Sequence, residues 1–538
     1  MKRLNKYMFV LGLLTIVSCS DDFLDTKPVT EPTDSNYYQI PEHAYAALVG
    51  CYDGLQVVTG ASGLSIYTAS EIMSDDCFGG VGNNDGFNHQ AIDEFDINRA
   101  PGYQNLFNDT WIKYYQALYR CNVLIQKIDQ IDWTNNEQTR DRYEAEARFI
   151  RAYLYFDMVK LWGNIPLLTE PSEDIIPPAT PDEVYTVIAQ DLMYASENIP
   201  EESYSAVPNG RVTRWAAKAM LARVYLYYTG YYGQSDLVGL VSQSEALAHL
   251  EDVISLSGHG LVSDFKNLWP AACPEIDGEE STYVGEANQE IVFSIKYTYT
   301  SDYNGNTDGN HWMVLFGMRE FMSYPYGRGW GVTVNSKLYD LYDDTDSRRF
   351  ATVIAVDEEE VPFDNIEGQR EYTGYYNKKY TPRSEYDPET GALVDATEIV
   401  NAADFQLGNF QDYFAIRYSD VLLMAAELGS GSAQQYFDQV RQRAYGNNFT
   451  PLSVNQDNIL EERHLEFALE GIRYWDLLRQ GVGEAAAEIA ESTTLLNGGI
   501  ETVKTIDGGN LLETQGLSQI PNTQITLSGG TLEQNPGW

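Results

Sequence analysis

Positive charge is scarce in this chain of 538 residues: 35 Lys and Arg stand against 79 Asp and Glu, a net charge of −44. So acidic a surface repels phosphate backbones and anionic headgroups, which argues against nucleic acid as a partner and against docking through a polybasic patch. It weighs more weakly against sulfated or uronic polymers, because charges beyond about 8 Å are screened at physiological salt. Cysteine is also scarce. Cys19, Cys51, Cys77, Cys121 and Cys273 form no C-x-x-C pair, which leaves zinc and redox motifs unsupported. Cys51 and Cys121 fall on apolar helical faces and read as buried free thiols. The six His are scattered, and G-x-x-x-x-G-K-[ST], G-x-S-x-G and H-E-x-x-H are all missing. No segment past the N-terminus reaches the run of about 20 apolar residues that a membrane-spanning helix needs.

What is present begins with the N-terminus. Met1-Lys2-Arg3 and Lys6 precede an almost uncharged stretch from Tyr7 to Val17, then Ser18-Cys19. Basic, apolar and small-residue regions in that order read as a secretory signal over residues 1–18. The cysteine at the cleavage point resembles the lipobox of bacterial lipoproteins, which implies cleavage before Cys19, a lipidated thiol and a membrane-tethered, water-soluble remainder. Residues 19–39, with Pro28 and Pro32, read as a polar tether.

The remainder exceeds one ordinary compact core. Helical periodicity starts after Pro41, with Ala44, Leu48, Cys51 and Leu55 on one face. Helices are expected near 108–131, 138–162, 181–198, 213–229 and 243–257. They return at 411–428, 433–445 and 456–480. Gly163-Asn164-Ile165-Pro166 ends the second, as Gly and Pro do beyond a helix. Between the helical framework of 40–258 and that of 411–480, residues 260–410 read as a loop-rich insertion with minor strand, such as Glu290–Tyr297. Residues 481–538 read as extended coil. The fold class is therefore mainly α. Paired helices suggest tetratricopeptide-like stacking, although no clean period of 34 is visible. Tyrosine, at 39 against 20 Phe, offers flat apolar faces with polar tips, suited to helix packing or to sugar contacts.

Several segments together resemble the SusD/RagB family of Bacteroidetes nutrient-binding lipoproteins. They are Glu146 through Asp157 continuing to Leu161-Trp-Gly-Asn-Ile-Pro166, Gly210-Arg-Val-Thr213 through Tyr225, and Leu338-Tyr-Asp340 with Asp346-Ser-Arg348. Tyr376-Asn-Lys-Lys-Tyr380, Ile416 through Met424 with Glu427, Glu462 through Asp476, and Ile520-Pro521 with Gln534-Asn-Pro-Gly-Trp538 complete the set. Ser347 and Trp538 depart from the family's usual Pro and Tyr. The resemblance implies a SusD-like helical fold at the outer-membrane surface. It also implies a lid on a SusC-like TonB-dependent barrel, capturing a glycan or, in the RagB branch, a peptide. Ser20-Asp21-Asp22 resembles the acidic signal that sends such lipoproteins to the cell surface. No catalysis and no cofactor is implied; a structural calcium ion is left open, since no motif places one.

The family does not fix its ligand residues. A soluble oligosaccharide presents C–H faces to aromatic rings and hydroxyls to directed polar groups. Of the nine Trp, seven sit in predicted helices or framework motifs and are expected to pack. Trp312 and Trp330 lie in the insertion beside His311 and Gly327-Arg-Gly-Trp-Gly331, and both indoles and His311 are expected at the ligand. The Gly/Asn/Asp-rich loop adds Asp76, Phe78, Asn83, Asn84, Asp85 and Phe87, unless it is merely a self-capped turn. Tyr299 and Tyr303 are also expected at the ligand, the first before and the second within a run of Asp302, Asn304, Asn306 and Asp308, whose alternation opens like a calcium loop. Thr307 replaces the required glycine and the closing Glu is missing, so an EF-hand does not fit.

The rival reading is a glycoside hydrolase. Glu466 and Glu470 are one helical turn apart, with Cβ atoms about 5–6 Å apart, overlapping the carboxylate spacing of retaining enzymes. Arg463 and Arg473 lie three residues from these acids and are expected to keep both ionised, whereas hydrolysis needs one protonated acid.

Overall fold

The computed structural model describes residues 37–60, 64–99, 101–172, 174–276, 278–302 and 304–538. The signal, Cys19 and nearly all of the tether lie outside the described residues, as does Tyr303. Among the described residues no helix is long and apolar enough to cross a membrane.

Eight helices stack in chain order: α1 (Pro41–Gly60), α2 (Asn108–Lys127), α3 (Glu137–Trp162), α4 (Pro181–Asn198), α5 (Arg214–Tyr232), α6 (Gln243–Leu256), α7 (Tyr418–Glu427) and α8 (Ala433–Tyr445). Each packs mainly on its neighbours, with α7 docking on α6 across the insertion. This is the nearest-neighbour stacking of a helical repeat array. The local sequence sets the ends. Thr180 and Glu183 form a capping box with Pro181 at the first turn of α4, and Ser242 and Glu245 do the same for α6. Gly163 closes α3 with φ +72°, a conformation that suits glycine. Cys51 and Cys121, on the packed α1 and α2, are buried free thiols, as are Cys77 and Cys273.

The 411–428 segment divides. Its first residues are β2 (Tyr413–Arg417), paired antiparallel with β1 (Ile291–Ile295) of the insertion, so that Arg417 faces Ile291. The expected 456–480 helix divides as well, into α9 (Gln456–Phe467) and α10 (Arg473–Leu478). Leu469 and Gly471 take positive φ between them, which no continuing α-helix accommodates. The C-terminal segment is not coil. Helices cover Val482–Ile489, Gly508–Thr514 and Asn522–Leu527, and β3 (Glu491–Asn497) pairs with β4 (Ile500–Ile506). The Gly498-Gly499 turn, with φ of +60° and +75°, is the two-glycine hairpin signal that the Gly/Thr/Asn reading overlooked.

Tyrosine does much of the packing. Tyr67, Tyr342, Tyr413 and Tyr474 are buried, and their hydroxyls donate to the carbonyls of Leu469, Leu465, Glu470 and Gly516 at 2.7–3.0 Å. A leucine there would leave those buried carbonyls unpaired, at roughly 1–3 kcal/mol each.

The insertion is fastened to the helices by buried charge. Arg348, Lys379, Arg417, Arg441 and Arg443 face Glu290, Asp346, Glu462, Glu466 and Glu470, five cations against five carboxylates. Arg417 alone reaches Glu290 at 2.6 Å, Glu466 at 2.8 Å and Glu470 at 2.8 Å. Removing one member of a buried set strands its partner charges, typically at about 3–5 kcal/mol. Arg417→Ala is therefore expected to lower unfolding stability by about that amount in urea titration; a change below about 1 kcal/mol would show that the network bears little of the packing.

A second cluster ties β4 to the end of the short helix Phe87–Asp93, which follows the Gly/Asn/Asp-rich loop, and to Glu371. Lys504 meets Asp93 at 2.8 Å, Glu94 at 2.8 Å and Glu371 at 2.9 Å. One ammonium cannot neutralise three carboxylates. Burial pushes Asp93 up, Lys504 offsets this in part, and Glu371 and Glu94 add to it, bringing Asp93 to about 8. Between about pH 4 and pH 8 the folded state thus holds a proton here that the unfolded chain releases, so this contribution to stability falls as pH rises. Asp93→Asn is expected to gain stability relative to the parent protein from pH 6.5 to pH 8. A pH-independent difference in urea midpoints would contradict this.

Candidate functional site

The two indoles of the insertion have opposite environments. Trp312 is 2% exposed. Its ring stacks on Tyr67 at 3.8 Å and 26°, with Phe316, Tyr380 and Tyr413 edge-on around it. Tyr67 comes from the short helix Ile66–Ile72. No face of Trp312 is left for a ligand, so its expected role in stacking is corrected to core packing. Trp330 is half-buried, with its backbone N–H donated to the Val314 carbonyl at 2.7 Å. Glycine at 329 permits that approach, since a Cβ there would run into the Val314 carbonyl.

Beside Trp330 stands His311, edge-on at 5.5 Å and 74°. The His311 N–H donates to the Gly60 carbonyl at the end of α1, at 2.9 Å. Burial lowers the His311 pKa to about 4, with Asp404 opposing and Lys113 assisting, so the imidazole is neutral at neutral pH. Its Nε2 is buried and has no hydrogen-bond partner among the described residues. Arg319 holds the Trp330 backbone: its guanidinium lies 3.5 Å from the Trp330 carbonyl and 3.3 Å from exposed Asp85. A rim thus forms from a half-covered indole, a neutral imidazole and a charge-paired Asp85–Arg319.

The rest of the Gly/Asn/Asp loop is mostly structural. Asp76 is 1% exposed and takes the His464 Nε2 at 2.7 Å, and Phe78 is 1% exposed in the core. Asn83 donates its side-chain amide to the Glu367 carbonyl. Phe87 is covered by the Arg370 guanidinium, 4.2 Å above its ring. Asp76 and Phe78 are therefore corrected from ligand contacts to supports; Asn83 and Phe87 are half-buried, and Asn84 and Asp85 are the exposed polar positions. Tyr299 is 43% exposed, edge-on to Phe410 in the loop that also carries Asp404. Asp302 accepts the N–H groups of Asn304 and Asn306 at 2.8 and 3.2 Å, a self-satisfied turn. Asp75, Asp76 and His464 cluster closely enough for a metal, but both Asp75 oxygens already accept from Arg473, at 2.8 and 2.7 Å.

Sequence reasoning missed Arg319 and Asp404, each brought to the rim by long-range packing that no local pattern encodes. It also misassigned the partners of the paired acids. Arg463 pairs with Asp420 and Asp476, and Arg473 with Asp75. Burial would raise Glu466, but Arg443, Arg417 and Arg348 outweigh it and hold its carboxyl well below the usual range. Glu466 and Glu470 are at most 1% exposed. A carboxylate so enclosed and so held meets neither substrate nor the protonation demanded of a general acid.

Two family models match, one described as starch-binding and associating with the outer membrane, over residues 22–226, the other as the SusD family, over residues 289–538. The chain belongs to the SusD/RagB family. SusD-like protein P2 of Formosa agariphila is 25% identical over 99% of both chains. Among solved structures, surface glycan-binding protein A of Bacteroides fluxus superposes with TM-score 0.74 at 25% identity, covering 93% of this chain and 100% of its own. A laminarin-binding SusD-like protein gives 0.69 at 28% identity, covering 93% and 100%. The family motifs of this SusD-like chain coincide with its buried charge: Arg348, Lys379, Arg417, Glu462, Glu466 and Glu470 all lie in them.

Trp312→Ala is expected to cost about 3–5 kcal/mol of stability, the usual range for deleting a buried Trp or Phe, and Trp330→Ala under about 1.5 kcal/mol. Equal losses in thermal and urea unfolding would mean that both rings are structural.

Proposed function

We propose that this protein is a non-catalytic surface lipoprotein that captures oligo- or polysaccharide on the Trp330 rim and hands it to a SusC-like TonB-dependent transporter. Lipid on Cys19 would tether it to the outer membrane, and no cofactor or metal is required. The observation that carries the reading is the rim: a half-buried indole on a fixed backbone, beside a neutral imidazole and polar groups already charge-paired. An indole face suits the C–H face of a pyranose, and uncharged donors and acceptors suit its hydroxyls. The glycan-binding neighbours support the ligand class. Peptide capture needs an open strand edge or apolar pockets for side chains, and the rim supplies neither.

Laminarin is the first probe, with starch and xyloglucan beside it in affinity electrophoresis. Trp330→Ala is expected to weaken binding of the retarding glycan at least about tenfold, or 1.4 kcal/mol, with the fold intact by circular dichroism. Unchanged retardation of the variant would remove the rim from the site.

A further inference from the structure

A second concavity lies along α1, with a volume of about 600 Å³, inside the range of roughly 300–1,000 Å³ typical of small-molecule sites. Tyr45 and Tyr52 of α1 form one wall. The Pro208–Arg211 loop and the end of β1, running on to Lys296 and Thr298, form the other.

Its rings are set in advance. Tyr45, 51% exposed, leans on Tyr143 with centroids 5.9 Å apart, and Tyr143 meets buried Trp133 edge-on at 6.1 Å and 79°. The Tyr52 hydroxyl donates to Glu146 at 2.7 Å and accepts the Val212 N–H at 2.8 Å, leaving the ring half-buried in the wall. Rings so fixed lose little freedom when a ligand stacks on them.

Its cations and most of its carboxylates are already matched. Arg211 is spent on Glu146, Asp53 on Arg120, and Lys296 on Asp412 and Glu286. An anionic ligand would have to break one of these pairs, while the Asp308 carboxylate, which accepts the Thr300 hydroxyl at 3.3 Å, has no basic partner among the described residues. A neutral ligand would meet exposed Asn209 and Thr298 as hydrogen-bonding groups.

The position is also informative. The carbonyl of Gly60, the last residue of α1, receives the His311 N–H of the rim. At about 1.5 Å per residue, Gln56 lies about 6 Å and Tyr45 about 22 Å back along the helix from that end. We infer that this cleft is a second binding site for a neutral polyhydroxylated chain, close enough to the rim for one polysaccharide to engage both. The inference rests on the glycan reading of the rim. Two linked contacts raise avidity for a long chain beyond that of either site.

The test compares the parent protein with Tyr45→Ala, Trp330→Ala, the double variant and Tyr119→Ala. Tyr119 is 56% exposed on α2 and lies outside the cleft, so it controls for loss of a surface ring. The probes are laminarin, starch and xyloglucan by electrophoresis, then calorimetry with a hexasaccharide of whichever is retarded. The expected result is two sites in the parent and in Tyr119→Ala, one in each single variant and none in the double. A single site in the parent, with Tyr45→Ala matching Tyr119→Ala, overturns the cleft and leaves the rim. Binding lost in Tyr45→Ala but intact in Trp330→Ala sustains the cleft and overturns the rim. No binding of any probe by the parent protein overturns both.

Discussion

Buried ion pairing between the insertion and the helices is the constraint on which the rest depends. Arg417, Arg348 and Arg443 converge on Glu466, and each also holds a carboxylate from a different part of the chain. Such a set adds little net stability over a hydrocarbon core of the same shape, because desolvation offsets the attraction. Its effect lies in discrimination. Any packing that shifts β1, the Asp346–Arg348 turn or α9 leaves a charge unpaired in a dry interior, at several kcal/mol. One arrangement of a long insertion on a helical stack is thereby selected, and the rim inherits its geometry.

The same logic runs outward. Lys504 gathers Asp93, Glu94 and Glu371, fastening the C-terminal hairpin to the short helix that follows the loop presenting Asn84 and Asp85. The aromatic cluster around Tyr67 and Trp312 lies beneath the segment that carries His311. Glycan capture on this surface, as proposed, calls on no bond-breaking group. It needs rings and polar atoms held still, which a rigid interior supplies at low entropic cost to the ligand.

Much of the frame was legible in the chain. Helix ends follow from capping residues and glycines that act locally, and the family motifs mark the segments that carry the buried charges. The choice between Trp312 and Trp330 was not legible, because both sit among Gly, Asn and Asp without periodicity, and the ring that covers Trp312 lies 245 positions upstream. The pairing of Glu466 and Glu470 with Arg463 and Arg473 failed for a related reason. Arg463 and Glu466 share α9, but Arg463 is drawn to Asp420 and Asp476, and between Glu466 and Arg473 the chain breaks at Leu469–Gly471. Asp76, Phe78, Asn83 and Phe87 are of ligand-binding residue type, but burial and long-range partners decide their use.

The most direct test of the account is diffraction from crystals soaked with an oligosaccharide of the glycan that retards the protein best. Sugar density stacked on the Trp330 indole, with a hydroxyl near the His311 imidazole and no movement of Trp312, is the predicted result. Density that avoids Trp330, or a rim that must rearrange the core around Trp312 to admit sugar, would contradict it.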